Sequence, residues 1–263
     1  MMRLQDQVIF ITGSTTGIGA AMARLFVAEG ARVIIHGRDE ERGKILQREL
    51  GDQWAGFVQG DLADTNCPAL LADKAQRCFG KLDVLVNNAA LTSRANLEQT
   101  DASSFDRLIA VNLRAPMMLI RALLPALKKS KGCVLNIGSV LAYCGQSNLL
   151  AYSVSKGGLM TMTRNLADTL GISGVRVNQL NVGWTLTENE YQCKLDDGLP
   201  EDWPDHLPPD AAPSGKLLAA EEIAEAAIYW VSQASRPVSG SVVEIEQYPM
   251  IGRIANQERE NKE

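Results

Sequence analysis

A glycine-rich turn near the start of the chain limits the folds that are open to it. Residues 7–11 form a short apolar run, and Gly13, Gly17 and Gly19 follow before a helical pattern over residues 20–29. Glycines allow a tight turn and a close approach of the backbone to a ligand, and the free N–H groups at a helix start attract phosphate. The pattern predicts a strand, a phosphate-binding turn and a helix, although a turn that only connects the two elements has the same composition.

Strand-like and helix-like segments alternate along the rest of the chain. This alternation predicts a parallel sheet covered by helices on both faces, an α/β fold of the doubly wound, Rossmann type. We expect a single domain over residues 1–263, with a substrate loop at 184–215 and a C-terminal tail at 247–263. The predicted strands are residues 7–11, 32–35, 56–59, 82–86, 134–137, 175–181 and 241–246, and the predicted helices are residues 20–29, 40–50, 68–79, 101–130 with a bend at Pro116, 149–170 and 220–232.

Composition argues against several classes of function. The formal net charge is −5, whereas a nucleic-acid-binding surface needs clustered Lys and Arg to neutralise phosphates. The five cysteines have no metal-ligand spacing and the two histidines are His36 and His206, so we expect no metal site. No N-terminal leader pattern and no run of about 20 apolar residues is visible. We expect a cytoplasmic protein without a membrane partner.

Three polar residues in the second half of the chain form a candidate catalytic group. Tyr152 and Lys156 are four positions apart in a predicted helix, so their side chains project from one face. A cation at about 4 Å from a phenol favours the phenolate by roughly 4 kcal/mol at an effective dielectric constant of about 20. Ser139 follows the predicted strand 134–137, where its hydroxyl can meet the same substrate oxygen. The tyrosine and lysine spacing alone is also compatible with a half-buried tyrosine and a solvated lysine.

Together, Ser139, the Tyr-x-x-x-Lys pair and the TGxxxGxG turn resemble the short-chain dehydrogenase/reductase family. The resemblance extends over most of the chain, from about residue 5 to residue 246. It implies reversible hydride transfer between a nicotinamide cofactor and a carbonyl or alcohol, with Tyr152 as general acid or base and Ser139 orienting the substrate oxygen. It also implies that Lys156 lowers the pKa of the tyrosine and anchors the nicotinamide ribose, and that Asn112 completes a proton relay.

The same resemblance assigns a cofactor site along the carboxyl ends of the strands. Asp61 would lie beside the adenine, and Asn87 would stabilise the central sheet. The residues implied to bind the cofactor are Gly13, Ser14, Thr16, Gly17, Ile18, Gly19, Arg38, Asp61, Leu62, Asn88, Ala89, Tyr152, Lys156, Gly183 and Thr187.

The residue after the second predicted strand bears on the choice of cofactor. Family members that prefer NAD have an acidic residue there, which binds the ribose hydroxyls, whereas this chain has Gly37 followed by Arg38. A guanidinium suits a 2′-phosphate, so we expect NADP, with NAD as the alternative. The glycine turn itself supplies no second basic charge.

The chain departs from the family pattern at three places. Ala90 replaces the glycine of an Asn-Asn-Ala-Gly motif, and Val182 replaces the proline of a Pro-Gly turn. The last predicted strand continues into bulky and polar residues where relatives have Asp-Gly-Gly. From this difference we expect Gln247, Tyr248 or Arg253 to reach a substrate pocket.

The predicted substrate loop is acidic and aromatic. Residues 184–215 hold eight acidic residues and one lysine, with Trp184, Tyr191 and Trp203 among them. An acidic loop repels anionic substrates and an acidic acyl carrier, while aromatic faces and carboxylates suit a neutral sugar or polyol. We expect such a small-molecule substrate. The alternatives are an acidic surface with no role in binding, a 3-oxoacyl thioester reductase, and a cofactor-binding sensor or scaffold without turnover.

Two predicted helices have more apolar surface than one sheet face can cover. Residues 105–127 and 149–170 are apolar around much of the helix circumference. Relatives pair these helices across a two-fold axis, so the pattern and the resemblance together imply a homodimer or homotetramer.

Overall fold

The fold is an alternating sequence of strands and helices. The computed structural model describes residues 2–92 and 94–251. The strands are β1 Val8–Ile11, β2 Arg32–Gly37, β3 Ala55–Gln59, β4 Val84–Asn87, β5 Cys133–Ser139, β6 Arg176–Val182, β7 Thr185–Leu186, β8 Leu218–Ala219 and β9 Val242–Ile245. The helices are α1 Gly17–Ala28, α2 Glu40–Leu50, α3 Cys67–Phe79, α4 Ala102–Ile109, α5 Ala115–Ser130, α6 Leu150–Gly171, α7 Glu188–Asp196 and α8 Ala220–Val231.

Seven strands form one parallel sheet in the order β3-β2-β1-β4-β5-β6-β9. The order reverses between β1 and β4, so the connections leave this point in opposite directions. In an open α/β sheet such a switch point forms a crevice outside the carboxyl ends of the strands, where ligands bind. The predicted doubly wound, Rossmann-type sheet is therefore confirmed.

Apolar strands explain why helices cover both sheet faces. All four residues of β1 are buried, and their side chains alternate between two separate clusters of apolar residues. One cluster includes Phe26 of α1 and Ile223 of α8, and the other includes Leu71 of α3 and Leu123 of α5. The crevice at the carboxyl edge is thereby supported by a packed core on each side.

The helix predicted over residues 101–130 contains a change of helical type. A π-helical segment, Ala110–Arg114, joins α4 to α5, and Asn112 lies within it. The irregularity thus precedes Pro116, which occupies the first turn of α5, where a proline needs no N–H. The bend expected at Pro116 stays a prediction, while the π segment before it and Pro125 inside α5 both interrupt the regular helical bonding of this stretch.

The same continuous stretch, 102–130, is long and apolar enough to cross a membrane by length and composition, which the sequence analysis did not anticipate. Its mean hydropathy reaches 1.4, and half of that window is buried inside the fold. Leu119, Leu123 and Leu127 are almost completely buried against the sheet. The stretch therefore serves as a core helix of the α/β fold.

Candidate active site

The glycine-rich turn between β1 and α1 can accept a phosphate-bearing ligand. Gly13 and Gly17 have positive φ angles of 60° and 53°, and a Cβ on Gly19 would lie 2.3 Å from the Gly13 carbonyl oxygen. The first helical bond runs from the Ala20 N–H to the Thr16 carbonyl at 3.2 Å. The N–H groups of residues 17–19 therefore lie outside the helical ladder, and no side chain caps them.

Residues after β4 hold this turn in place. The Asn88 side chain donates to the carbonyl oxygens of Thr12 at 3.0 Å and Gly13 at 2.9 Å. The N–H groups of Asn88 and Ala89 both donate to the Thr12 hydroxyl, at 3.0 and 3.1 Å. A Cβ on Gly13 would lie 2.7 Å from the Ala89 Cα, so the two segments touch. Asn87 donates to Asn136 of β5 at 2.8 Å, as expected of a residue that stabilises the sheet.

His36 of β2 supports the glycine-rich turn, a role that the sequence analysis missed. Its Nδ1 accepts the Gly13 N–H at 3.1 Å, so the proton resides on Nε2, which lies 3.2 Å from the Gly60 carbonyl oxygen. Burial lowers the pKa of His36 to about 4, which keeps the ring neutral and able to accept. No sequence signal distinguishes this histidine from one on the surface.

Ser14 faces the protein interior and not the crevice. Its hydroxyl donates to the Ile11 carbonyl at 2.7 Å and accepts the His36 N–H at 3.0 Å, and its own N–H donates to the His36 carbonyl. Ser14 is fully buried. Its side chain joins β1 to β2. The geometry therefore does not favour direct contact of the Ser14 side chain with a cofactor.

The end of β2 offers an exposed cation, Arg38, which the capping residue Asp39 of α2 follows directly. Arg38 is exposed, and its carbonyl accepts a bond from Gln59 at 2.9 Å. At Gly37 a Cβ would lie 2.6 Å from Cγ2 of Thr15. An acidic side chain at position 37 would therefore displace Thr15 of the glycine turn.

Asp61 and Leu62 follow β3 but differ in exposure. One carboxylate oxygen of Asp61 accepts the Ala63 N–H at 3.0 Å, and the other lies 3.4 Å from the Arg107 guanidinium. Leu62 is buried in the apolar cluster under α3 and α5. Only Asp61 presents its side chain near the crevice, and its place beside an adenine stays a prediction.

The catalytic candidates meet at the end of β5. Ser139 is the last residue of this strand, and its hydroxyl accepts the Leu141 N–H at 3.2 Å. Tyr152 and Lys156 lie one turn apart on α6, with the lysine Nζ 5.5 Å from the centre of the phenol ring. Lys156 is almost completely buried and donates to the Ile137 carbonyl of β5 at 2.8 Å. Strand and helix therefore place the three side chains together.

Burial dominates the ionisation of this group. It raises the pKa of Tyr152 to about 12, while the interaction with Ser139 lowers it and the negative charge of Glu190 raises it. Burial also lowers the pKa of Lys156 to about 8. The expected stabilisation of the phenolate by Lys156 is thus not the leading influence on the tyrosine. The lysine still carries a positive charge at neutral pH.

Asn112 connects the π segment to two other elements. Its amide exchanges two bonds with the main chain of Leu91, at 2.8 and 3.0 Å, and donates to the Ser155 hydroxyl at 3.1 Å. Ser155 in turn donates to the Tyr152 carbonyl at 2.7 Å. The side chain of Asn112 therefore positions α6, and its part in a proton relay stays a prediction.

The segment after β6 is tied to the strand at the sheet edge. The Gly183 N–H donates to the Ile245 carbonyl at 2.9 Å, and the Trp184 N–H donates to Glu246 Oε2 at 3.0 Å. A Cβ on Gly183 would lie 1.9 Å from the same carboxylate oxygen. Glu246 thereby restrains the turn in which Val182 replaces a proline.

Thr187 closes the crevice opposite the glycine turn. Its hydroxyl accepts the Glu190 N–H at 3.1 Å and so caps α7. A Cβ on Gly17 would lie 3.4 Å from the Thr187 methyl group. Because the hydroxyl only accepts in this cap, its own proton is available to a ligand.

The aromatic residues of the 184–215 loop pack on one another. Trp203 is buried and stacks on Trp184, with ring centres 5.8 Å apart, and on Tyr191, with ring centres 6.2 Å apart. The Lys194 Nζ lies 4.9 Å from the centre of the Trp184 ring. The expectation that these rings offer free faces to a sugar was wrong for Trp203, because the loop needs a small apolar core of its own.

One carboxylate of this loop influences the catalytic group, because the negative charge of Glu190 raises the pKa of Tyr152. Glu190 Oε1 accepts bonds from Trp184 Nε1 at 2.9 Å and from Arg94 at 3.1 Å. Arg94 also pairs with Asp197 at 3.0 Å. Asp202 of the same loop instead pairs with His206 at 3.1 Å. The sequence analysis treated the acidic residues as a group and did not single out Glu190 or Arg94.

The residues after β9 contact the end of the same loop. The Gln247 side chain accepts from the Ser214 hydroxyl at 2.6 Å and donates to the Lys216 carbonyl at 2.7 Å. Arg253 lies outside the described residues. The contact of this segment with a substrate pocket stays a prediction.

Across residues 2–92 and 94–251, no group of three or more His, Cys, Asp or Glu side chains is arranged to hold a metal ion.

Comparison with known proteins agrees with this arrangement. The family model described as short chain dehydrogenase matches residues 7–197. The chain belongs to the short chain dehydrogenase family. The L-fucose dehydrogenase of Mus musculus is 36% identical over 236 residues, which are 89% of this chain and 85% of that protein. The cis-4-hydroxycyclohexanecarboxylate dehydrogenase of Sinomonas cyclohexanicum is 34% identical over 245 residues, which are 92% of this chain and 95% of that protein.

A solved structure of the family has the same fold. The 3-ketoacyl-(acyl-carrier-protein) reductase from Brucella melitensis, complexed with NADH, aligns with a TM-score of 0.81 at 30% identity, covering 92% of this chain and 97% of that one. This short chain dehydrogenase is therefore a nicotinamide-dependent oxidoreductase that acts on CH–OH groups or the corresponding carbonyls, as the sequence predicted.

Proposed function

We propose that this short chain dehydrogenase transfers hydride between NADP, in preference to NAD, and a secondary hydroxyl or carbonyl group of a neutral sugar or polyol. The observation that carries the proposal is the carboxylate of Glu190, which Trp184 and Arg94 hold in place and whose negative charge raises the pKa of the catalytic tyrosine. A negative charge there disfavours an anionic substrate. The similarity to L-fucose dehydrogenases over 89% of the chain supports the same class of substrate.

The bound nicotinamide supplies the hydride acceptor or donor. In the oxidation, the Tyr152 phenolate takes the proton of the substrate hydroxyl, and in the reduction the phenol returns it. Ser139 donates a hydrogen bond to the same oxygen, where negative charge develops before the proton is transferred. The Lys156 ammonium favours the phenolate from one turn away, and its link to Ile137 fixes it against β5.

Residues at the carboxyl edge of the sheet fit a dinucleotide. The free N–H groups at the start of α1 would receive its pyrophosphate, and Asp61 would lie toward its adenine. The Thr187 hydroxyl would donate to its carboxamide, and Asn88 and Ala89 would line its ribose. A Cβ on Gly17 would lie 3.4 Å from the Thr187 methyl group, so the phosphate-binding turn and Thr187 face each other across the crevice. This proximity supports the placement of one dinucleotide along both.

Arg38 supports NADP as the preferred cofactor. It is the exposed cation at the end of β2, and Thr15 occupies the space that an acidic residue at position 37 would need. A 2′-phosphate would find a positive partner there, while the ribose hydroxyls of NAD would find no carboxylate at position 37, since the neighbouring Asp39 side chain caps α2. Arg38→Ser should therefore lower kcat/KM for NADP by about tenfold and change kcat/KM for NAD by less than about threefold.

The deciding experiment follows reduced-nicotinamide absorbance with purified protein, with NADP and NAD in parallel. The substrates are L-fucose, other sugars, polyols, cis-4-hydroxycyclohexanecarboxylate and 3-oxoacyl thioesters. We expect turnover with sugars or polyols that is lost in Tyr152→Phe, because this variant keeps the ring and loses the ionisable group.

Each alternative has its own result. Turnover with 3-oxoacyl thioesters alone would identify the reductase function, which the Brucella melitensis structure represents, and would overturn the polyol proposal. Cofactor binding without turnover of any substrate would favour a sensor or scaffold. A cytoplasmic location and a homo-oligomeric assembly are part of the proposal, and fractionation of cells and light scattering test them.

A further inference from the structure

Glu190 occupies an unusual position for the third residue of a helix. The segment Thr187-Glu188-Asn189-Glu190 has the Thr-x-x-Glu pattern of a capping box, in which the glutamate would bond back to the N–H of the threonine. Thr187 forms one of the two hydrogen bonds of this motif, since its hydroxyl accepts the Glu190 N–H at 3.1 Å. The glutamate side chain instead reaches Arg94, 96 positions away in sequence.

Only one oxygen of the Glu190 carboxylate accepts hydrogen bonds from the described residues. Oε1 accepts both the Trp184 indole N–H and the Arg94 guanidinium, at 2.9 and 3.1 Å. No described residue donates to Oε2. The side chain retains 23% of its exposure while its headgroup is held in place through Oε1, so a ligand can approach this carboxylate. An ionised carboxylate only accepts hydrogen bonds, so Oε2 selects a donor.

The held carboxylate is linked to both halves of the site through its neighbours. Ala95, next to Arg94, accepts the Leu150 N–H at 3.4 Å, and Leu150 begins the helix that carries Tyr152. On the other side, Thr187 faces the glycine turn. The charge of Glu190 reaches the catalytic phenol, which agrees with this placement.

We propose that Glu190 Oε2 accepts a hydrogen bond from a substrate hydroxyl adjacent to the carbon that is oxidised, which makes the enzyme selective for vicinal diols. This inference rests on the proposed function. A diol donates one hydroxyl to Glu190 while the other reacts at Ser139 and Tyr152. A simple alcohol has no second hydroxyl, so it displaces water from the carboxylate oxygen without replacing the hydrogen bond, which is unfavourable.

The test compares cis-cyclohexane-1,2-diol with cyclohexanol, which have the same ring and differ by one hydroxyl. The wild-type protein should show a higher kcat/KM for the diol by about tenfold to a hundredfold. Glu190→Gln should lower this ratio about tenfold or more, because the neutral amide is a weaker acceptor than a carboxylate.

Asp197→Asn is the matched control. Asp197 belongs to the same loop and pairs with the same Arg94, at 3.0 Å, yet it does not influence the ionisation of Tyr152. A variant that only loosens the loop changes both substrates alike, so Asp197→Asn should leave the ratio within about twofold of wild type. The cofactor KM and thermal unfolding of both variants verify that the fold is intact.

Two results would overturn the inference while the proposed function stands. One is equal activity of the wild-type protein on the diol and the simple alcohol, and the other is an equal loss on both substrates in Glu190→Gln, which would make Glu190 a loop anchor. Inactivity of the wild-type protein on every sugar, polyol and diol would overturn the proposed function and this inference with it.

Discussion

Tyr152 and Lys156 lie in surroundings that disfavour the charged form of both side chains. Burial raises the pKa of the tyrosine to about 12 and lowers that of the lysine to about 8. The charged groups around the phenol are Lys156 on its own helix and Glu190 on α7, with Arg94 behind the glutamate. The negative charge of Glu190 disfavours the phenolate form of Tyr152. The residue that we propose to bind the substrate therefore also raises the pKa of the catalytic base.

The pH dependence of Glu190→Gln tests this balance. In alcohol oxidation the base acts deprotonated, so kcat/KM rises with pH through the pKa of Tyr152. Removing the negative charge of Glu190 should lower that pKa, and the rising limb should move to lower pH. The measurement uses cyclohexanol, which has no second hydroxyl for Glu190. Asp197→Asn should leave the limb in place, and a limb that moves upward in Glu190→Gln would contradict the prediction.

At the scale of elements, the turn between β6 and β7 depends on β9. Relatives fix this turn with a proline, whereas this chain has Val182 and the carboxylate of Glu246, which accepts the N–H groups of Trp184 at 3.0 Å and of Gln247 at 2.7 Å. Two turns of the chain that are distant in sequence thus share one carboxylate. The polar end of the last strand replaces the rigidity that a proline gives.

A double-mutant cycle on Gly183 and Glu246 measures this coupling. In Gly183→Ala the new methyl group would overlap Glu246 Oε2, and Glu246→Ala leaves two N–H groups without their acceptor. Each single variant should lose about 1–3 kcal/mol of unfolding free energy and should raise the cofactor KM. The double variant should lose less than the sum, because the second substitution removes the overlap.

Glu244→Ala serves as the control for this cycle. Glu244 lies within β9, two residues before Glu246, and among the described residues its carboxylate accepts the Met250 N–H alone, at 3.3 Å. Denaturant unfolding should show a smaller loss for it, with no coupling to Gly183→Ala. Strict additivity of Gly183→Ala and Glu246→Ala would mean that the carboxylate does not restrain the turn.

Local patterns allowed the sheet, the glycine turn and the positions of Ser139, Tyr152 and Lys156 to be predicted from the sequence. Each of these follows from spacing within one strand, turn or helix. The sequence could not show that Ser14 faces inward, because its partner His36 belongs to another strand. Nor could it select Glu190 among eight acidic residues, since the choice depends on Arg94, 96 positions away. Pairings across the fold appear only once the sheet is assembled.

At the scale of the whole molecule, both helical layers leave apolar side chains exposed on their outer surfaces, with Ile45 and Tyr229 on the layer of α1, α2 and α8. The layer containing α5 and α6 leaves several apolar side chains exposed, including Met117 at 43%, Val154 at 49% and Leu97, before α4, at 79%. Half of the most apolar window in residues 102–130 is not buried within the chain. An apolar surface of this kind is a common feature of contacts between copies of a protein, and members of the family are typically oligomeric.

Val154→Glu should therefore separate the copies. In a two-fold interface each substitution occurs twice, so two carboxylates would be brought together and removed from water. Light scattering after size-exclusion chromatography should give a dimer or tetramer for the wild-type protein and a shift toward monomer for Val154→Glu. Ile45→Glu is the matched control, because Ile45 is 50% exposed and lies on α2, on the opposite face of the sheet. A wild-type monomer, or equal dissociation in both variants, would contradict an interface at α5 and α6.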